Sequence, residues 1–187
     1  MEEKFKLLGF AINNKIIIMN IIINKIKFIK FIYNIKKEDS DKDIQIINNK
    51  DNLCYNENNE IDKEIKVIIN GEIKSNILTY KFFKEGIQII YLISNNDLTN
   101  ILFMFYKCSS LQELDLSSFN TNLITNMSYI FHDCSSLKGL ELSSFNANLV
   151  TNMSLMFSFC SSLKKLDLSS FNTYQVTDMS NMFQYCT

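Results

Sequence analysis

The feature that most constrains this chain is a repeat of fixed period in its C-terminal half. Cys108, Cys134, Cys160 and Cys186 are each 26 positions apart, and the flanking residues recur in register through three and a half copies between residues 98 and 187. A period of about 20 to 50 residues is typical of proteins built from stacked structural units. We therefore expect each copy to form one coil of a solenoid.

The apolar residues of one copy follow two periodicities. Met127, Ile130, Phe131 and Cys134 fall at i, i+3, i+4 and i+7, which predicts a helix of about two turns. Residues 137–142 then read L-x-x-L-x-L, and their last two leucines alternate as in a strand. The expected fold is an α/β solenoid of leucine-rich-repeat-like coils, each with one short strand and one short helix.

A family resemblance is carried by the second and third copies. They contain TNMSYIFHDCSSLKGLELSSFN and TNMSLMFSFCSSLKKLDLSSFNT, which resemble the 26-residue repeat of BspA-like leucine-rich repeat surface proteins. The resemblance covers roughly residues 98 to 187. It implies a leucine-rich-repeat-like solenoid that binds other macromolecules, often at a cell surface, and hence a surface or secreted protein.

Residues 1–63 form an N-terminal segment and linker rich in Ile, Asn and Lys. The apolar segment 7–23 is interrupted by polar residues and has no basic start, so it matches neither a membrane span nor a signal peptide cleanly. The spacing of Ile22, Ile26, Ile29 and Tyr33 favours a helix, although the density of isoleucine is also typical of strands. Met19 is an alternative initiator. Residues 36–63 are charged and predict a solvated linker.

Residues 64–97 predict a small β unit. An alternating apolar run precedes Asn70-Gly71, a dipeptide that favours tight hairpins. We expect a second hairpin around Glu85-Gly86. Because a terminal repeat exposes an apolar end, we expect this unit to cap the N-terminal face of the solenoid, which spans residues 98–187.

The four periodic cysteines have three interpretations. Neighbouring coils about 4.8 Å apart would allow the Cα separation of a disulfide, but side chains in one row point in parallel rather than at each other. We favour small buried thiols facing the core, with disulfides or a metal site as the alternatives. Cys54 stands apart from the repeats and is predicted to be a free thiol.

No mutually supporting set of catalytic residues is recognisable, so we expect no enzyme activity and no cofactor. His132 is the only histidine, and it is predicted to point outward because it follows an inward pair. Asn126 and Asn152 begin glycosylation acceptor sequences, but the next equivalent residue is Asp178. Asn and Asp share the ability to cap a helix, which is the role we favour.

The surface predicted to bind ligands is the outward side of the repeat strands, because stacked copies present it as one extended sheet. It carries three rows of polar side chains. The third row places like charges beside each other, and a cationic ligand or nearby lysines would relieve their repulsion. The rows contain Gln112, Lys138 and Lys164; Glu113 and Lys165; and Asp115, Glu141 and Asp167.

Charge and repeat pattern together define the expected function. A net charge of −1 predicts no nucleic-acid binding. We expect a non-enzymatic module that binds a protein or cell-surface macromolecule through the exposed strand face. The alternative is a truncated fragment or structural portion of a longer repeat protein with no ligand of its own. The fourth copy stops before its strand, so we also expect self-association through that end.

Overall fold

The computed structural model describes residues 27–47, 66–75, 79–94, 101–116 and 120–186. These ranges hold a short 3-10 helix (Lys37–Asp39) and no α-helix. Their eight strands are β1 (Lys27–Ile35), β2 (Asp43–Gln45), β3 (Lys66–Ile69), β4 (Glu72–Ser75), β5 (Thr79–Lys81), β6 (Gly86–Ser94), β7 (Leu111–Asp115) and β8 (Gly139–Glu141). The predictions about segment 7–23, Met19 and Cys54 concern residues outside these ranges.

Six of the strands form one mixed sheet in the order β4-β3-β6-β1-β7-β8. Only β7 and β8 pair in parallel within it. Asn70 and Gly71 join β3 to β4 with positive φ angles of 52° and 79°, as a two-residue type I′ turn requires. That hairpin is confirmed. The second predicted hairpin is wrong, because β5 pairs with β2 in a separate small sheet rather than with β6.

Strand β1 corrects the expectation of a helix in this part of the chain. Phe31, Tyr33 and Ile35 are buried, whereas Ile32 and Asn34 between them are only partly buried. This alternation is that of a strand with one face on a core, and β-branched and aromatic residues favour strands. Because β1 lies between β6 and β7, the strand beside the first repeat comes from the N-terminal segment.

Each repeat contains a run of turns where a helix was predicted. The amides of Met127, Tyr129, Phe131 and Asp133 donate to carbonyls of the third repeat at 2.9, 3.1, 3.1 and 2.8 Å. An α-helix would direct these amides to carbonyls four residues earlier in the same repeat. The prediction of an α/β solenoid with one helix per coil is therefore wrong. The described chain is nearly all β, with a mixed sheet that does not close.

Two features explain why turns replace the helix. Thr, Asn, Ser, Phe and Cys make up most of residues 151–160, and all of them have low helix propensity. In addition, φ is positive at Leu155 (56°) and Phe159 (62°) and at the equivalent residues of the other repeats. A positive φ at the third position is characteristic of a type II turn. Turns that close every three or four residues reproduce the spacing of buried residues that a helix would give.

The L-x-x-L-x-L segments form strands in the first two repeats only. Residues 163–168 of the third repeat contain no strand. Side chains instead link the repeats at the following corner. Asn146 Nδ2 donates to Asn122 Oδ1 at 2.7 Å, and Asn172 Nδ2 donates to Asn148 Oδ1 at 2.9 Å.

A column of phenylalanines forms the centre of the core. The rings of Phe105, Phe131, Phe157 and Phe183 are nearly parallel, with centroids 5.7, 5.4 and 5.5 Å apart. Phe31 of β1 packs edge-on against Phe105 with centroids 5.2 Å apart. The first three rings of the column are fully buried, whereas Phe183 is 48% exposed.

The repeat cysteines form a second column beside the phenylalanines. The thiols of Cys134 and Cys160 donate to the carbonyls of Phe105 and Phe131 at 3.0 and 3.1 Å. All four repeat cysteines are free, and the first three are fully buried. The interpretation as buried thiols is confirmed for those three residues, and Cys186 at the fourth position is partly buried.

Residues 44–47 close the N-terminal end of the stack. The Cys108 thiol lies 3.6 Å from the Ile46 carbonyl oxygen. This carbonyl takes the place that a phenylalanine carbonyl of the preceding repeat has for Cys134 and Cys160. The Tyr33 hydroxyl donates to the same carbonyl at 3.0 Å, and Gln45 Nε2 donates to the Tyr106 carbonyl at 3.0 Å. Ile44, Ile46 and Ile47 are buried, which differs from the solvated linker expected here. The capping role of residues 64–97 stays a prediction.

Candidate functional site

Positions along the repeats fall into two classes. The inward phenylalanine and cysteine columns carry the same residue type in every repeat. Three neighbouring columns on the same turns differ from repeat to repeat. They contain Phe103, Tyr129, Leu155 and Asn181; Tyr106, His132, Ser158 and Gln184; and Lys107, Asp133, Phe159 and Tyr185. Because the repeated columns form the buried core of the stack, the variable columns are the candidates for recognition.

The variable columns place six rings in one connected cluster, which we call the aromatic face. The ring centroids of Phe103 and Tyr129 are 4.9 Å apart. Phe159 continues the cluster, with its centroid 5.5 Å from that of His132 and 4.6 Å from that of Tyr185. Phe159 and Tyr185 are 40% and 60% exposed. The aromatic face consists of Phe103, Tyr106, Tyr129, His132, Phe159 and Tyr185.

The backbone of the aromatic face is unusual. Phe103, Tyr129, Phe159 and Tyr185 have positive φ angles of 60°, 58°, 62° and 58°. The left-handed conformation costs about 1 to 2 kcal/mol for a residue with a side chain. Stacking on the next repeat returns about 0.5 to 1.5 kcal/mol per ring pair. The non-aromatic residues at the equivalent positions of the other repeats share this positive φ, so the conformation belongs to the turns of every repeat.

His132 lies at the centre of the aromatic face. Its ring contacts those of Tyr106, Tyr129 and Phe159 at centroid distances of 5.1, 5.4 and 5.5 Å. Burial among these rings lowers the pKa of His132, the positive charge of Lys107 lowers it further, and Asp133 opposes both. The outward direction predicted for this side chain is therefore only partly correct, because the ring is half-buried.

Two polar atoms beneath the aromatic face have no hydrogen-bond partner. They are Nδ1 of His132 and Oγ of Ser158, which occupy the same position in successive repeats. Leaving a buried polar atom unpaired costs about 1 to 3 kcal/mol.

The predicted strand-face residues divide between two settings. Gln112, Glu113 and Asp115 belong to β7, and Lys138 and Glu141 lie at or beside β8. The amide of Lys138 donates to the Gln112 carbonyl at 2.8 Å. Lys164, Lys165 and Asp167 are exposed on the third repeat, where no strand is present. The structure therefore places four of the eight residues on a strand pair, with Lys138 directly before β8.

The acidic row on that face has a local structural role. Glu141 Oε1 accepts a hydrogen bond from the Ser143 amide at 2.8 Å, and Asp167 Oδ1 accepts one from the Ser169 amide at 2.8 Å. These bonds lower the pKa of both carboxyl groups, although the charges of Asp115 and Asp167 oppose the shift at Glu141. The carboxylates thus close the turn after the L-x-x-L-x-L segments of the second and third repeats.

The asparagines of the glycosylation pattern also close turns. Asn126 Oδ1 accepts hydrogen bonds from the Ser128 amide and hydroxyl at 2.9 and 2.7 Å, and Asn152 binds Ser154 in the same way. Asp178 Oδ1 accepts from the Ser180 amide at 2.9 Å. The helix-capping prediction is wrong because no helix follows, yet Asn and Asp share the expected acceptor role. Glycosylation stays a prediction.

The described residues offer few groups for covalent chemistry. Burial raises the pKa of the Cys108 and Cys160 thiols to about 12, which keeps them protonated and unreactive. No cluster of His, Cys, Asp and Glu in the described ranges is placed to hold a metal ion. The same ranges hold no helix of the length and hydropathy that crossing a membrane requires.

Comparison with known proteins concerns the repeats alone. No curated protein and no solved structure matches the chain. Residues 99–187 match the model of a family described as Mycoplasma protein of unknown function, DUF285. The resemblance to BspA-like leucine-rich repeat surface proteins is therefore wrong, because the repeats match this other family. What the comparison supports is a C-terminal repeat region similar to the DUF285 family.

Proposed function

We propose that this chain is a non-enzymatic module that binds a protein partner through the aromatic face. The observation that carries the proposal is the contrast between columns. Every repeat keeps the same residues in its inward phenylalanine and cysteine columns but changes those that build the aromatic face. Residues that hold the stack together need to be repeated, whereas residues that recognise one particular partner need to differ along it.

The physical character of the aromatic face supports this role. Tyrosine and other large aromatic side chains are enriched at protein interfaces, where they bury much area at low entropic cost. Here their backbone is held by hydrogen bonds to the next repeat, such as Phe159 N to Gln184 O at 2.8 Å. Lys107 and Asp133 add one charge of each sign beside the rings, which would orient a partner.

The strand face is the weaker candidate for the main contact. Its acidic row is already engaged with neighbouring turn amides, and it does not continue as a strand into the third repeat. We assign Gln112, Glu113, Lys138 and the remaining charged residues of that face a secondary part in binding.

A selection from a random peptide library displayed on phage tests this proposal. Peptides enriched on the wild-type chain should lose about tenfold or more in affinity for the double variant Tyr129→Ala and Phe159→Ala, because interface aromatics contribute about 2 kcal/mol or more when they are central. Tyr174→Ala is the matched control, because Tyr174 is 92% exposed and lies outside the aromatic face. Binders that tolerate the double variant but fail on Glu113→Ala or Lys138→Ala would contradict the proposal.

A second candidate function is structural, as one part of a longer stack of repeats. Third-repeat amides of Met153, Leu155, Phe157 and Phe159 donate to fourth-repeat carbonyls at 2.8 to 2.9 Å. The equivalent amides of the fourth repeat lie on the face where a further repeat would dock. This edge presents donors, so it matches the carbonyl side of another repeat. Self-association of two identical ends is less favourable, because donors would meet donors.

Extension of the chain tests the structural alternative. Appending another copy of residues 162–187 should raise the urea midpoint of unfolding, because the half-exposed Phe183 ring becomes covered. An unchanged midpoint would contradict it. Sedimentation of the chain as it stands should show a monomer, whereas a concentration-dependent dimer would restore self-association through this end.

A further inference from the structure

Three strands of the large sheet are apolar on both faces. Strands β1, β3 and β6 read KFIKFIYNI, KVII and GIQIIYLIS, with few polar interruptions. The residues on one face, among them Val67, Ile69, Ile90 and Leu92, are buried in the core. A sheet with one solvated face normally alternates apolar and polar residues, and near-continuous apolar strands occur where both faces are covered.

Pairing register places the remaining apolar side chains on one contiguous surface, which we call the isoleucine patch. Ile68 lies directly opposite Ile73 on β4 and Tyr91 on β6, and Ile32 lies opposite Ile89. Three of its members, Ile73, Ile89 and Ile87, are 39%, 45% and 59% exposed. The isoleucine patch consists of Ile32, Ile68, Ile73, Ile87, Ile89 and Tyr91.

The isoleucine patch ends where the repeats begin. Glu113 and Asp115 of β7 pair with Ile32 and Lys30 of β1, so charged residues border the patch along β7 and at Lys30. An apolar surface with such a sharp charged border is characteristic of a covered or interacting site rather than of an ordinary solvated face.

We propose that the isoleucine patch is covered by the segment Leu7–Ile23 of the same chain. Only three residues separate Ile23 from Lys27, where β1 begins beside Ser94 of β6. The segment therefore joins the sheet at its two central strands, within reach of the patch. It supplies the apolar side chains Ile16 to Ile18 and Ile21 to Ile23.

The other parts of the chain outside the described ranges fit this role less well. Residues 48–65 are rich in Asn, Asp and Glu, and residues 76–78 and 95–100 are too short to cover six side chains. Covering the sheet also accounts for the composition of segment 7–23, in which apolar runs are interrupted by Asn and Lys.

Site-specific photocrosslinking on the full chain tests the assignment. p-Benzoylphenylalanine replaces Ile89, and in a separate control it replaces Lys165, an exposed residue of the third repeat. Irradiation at low protein concentration should give a product of monomer mass in which position 89 is joined to a tryptic peptide between residues 7 and 25. Position 165 should not react with that peptide. A product of dimer mass would instead assign the patch to a second copy, and a link to any other segment, or none to residues 7–25, would overturn the proposal.

A second measurement does not depend on crosslinking chemistry. The double variant Ile17→Asp and Ile21→Asp should expose the isoleucine patch and raise the fluorescence of an added apolar dye severalfold. Adding Ile87→Lys and Ile89→Lys to this variant should remove the increase. An increase that survives those two lysines would place the dye elsewhere and contradict the proposal. Circular dichroism of each variant confirms that the sheet is retained.

Discussion

The phenylalanine column allows the same substitution to be compared at a covered and an uncovered position. Phe131 is fully buried and stacks between Phe105 and Phe157 at 5.7 and 5.4 Å. Phe183 occupies the same place in the fourth repeat, but it is 48% exposed and stacks on Phe157 alone, at 5.5 Å. Phe131→Ala and Phe183→Ala therefore differ only in how completely the ring is enclosed.

The expected losses follow from burial. Removing a buried phenylalanine costs about 3 to 5 kcal/mol, which combines the transfer of the ring with the cavity it leaves. Two stacked neighbours place Phe131→Ala near the upper end, at about 4 to 5 kcal/mol. A half-exposed ring leaves no closed cavity, so Phe183→Ala should cost about 1 to 2 kcal/mol.

Urea unfolding followed by circular dichroism measures both losses. With an m-value of about 2 kcal/mol/M, Phe131→Ala should lower the midpoint by about 2 M and Phe183→Ala by less than about 1 M. Phe131→Leu and Phe183→Leu are included because they retain most of the volume and should show the same order if Phe131→Ala fails to fold. Equal losses at the two positions would refute the stacked column.

Two further predictions concern the thiols and the histidine. Alkylation without reductant should leave Cys108, Cys134 and Cys160 unmodified in the folded protein, because burial raises their pKa, and should label them after unfolding. The partly buried Cys186 should react first. Cysteines that stay unlabelled after unfolding would indicate disulfides. Folding lowers the pKa of His132, so the unfolded state binds the proton more readily than the folded state. The contribution of His132 to stability is therefore fully present above its ordinary pKa. This contribution is lost as the pH falls through the folded pKa. The urea midpoint should fall between about pH 7.5 and about pH 5, and a fall of the same size in His132→Gln would contradict this.

The sequence predicted the features that depend on local pattern. The repeat period, the inward columns and the Asn70-Gly71 hairpin all appear where the residues indicated. The prediction of a helix failed because the same spacing of apolar residues fits two structures. Buried residues at i, i+3, i+4 and i+7 suit a helix and also suit consecutive turns, and the deciding hydrogen bonds join residues of different repeats. Residues such as Tyr129 and Phe159 also adopt positive φ although they are not glycine, so the sequence does not indicate this conformation.

Long-range pairing explains the other differences. Strand β5 pairs with β2 across more than thirty intervening residues, and Ile46 closes the stack from a segment that composition assigned to a linker. The aromatic face was missed for a different reason. Only His132 among its members was predicted to point outward, and the contrast between repeated and variable columns, which is present in the sequence, was not used.

The hydrogen-bond partner of the Phe131 amide tests the central claim most directly. Scalar coupling across hydrogen bonds, measured by NMR between amide nitrogens and carbonyl carbons, identifies each acceptor individually. Stacked turns predict coupling from Phe131 N to the carbonyl of Met156 in the next repeat, where the two atoms of the hydrogen bond are 3.1 Å apart. Coupling to the carbonyl of Met127, four residues earlier in the same repeat, would show a helix and contradict the account.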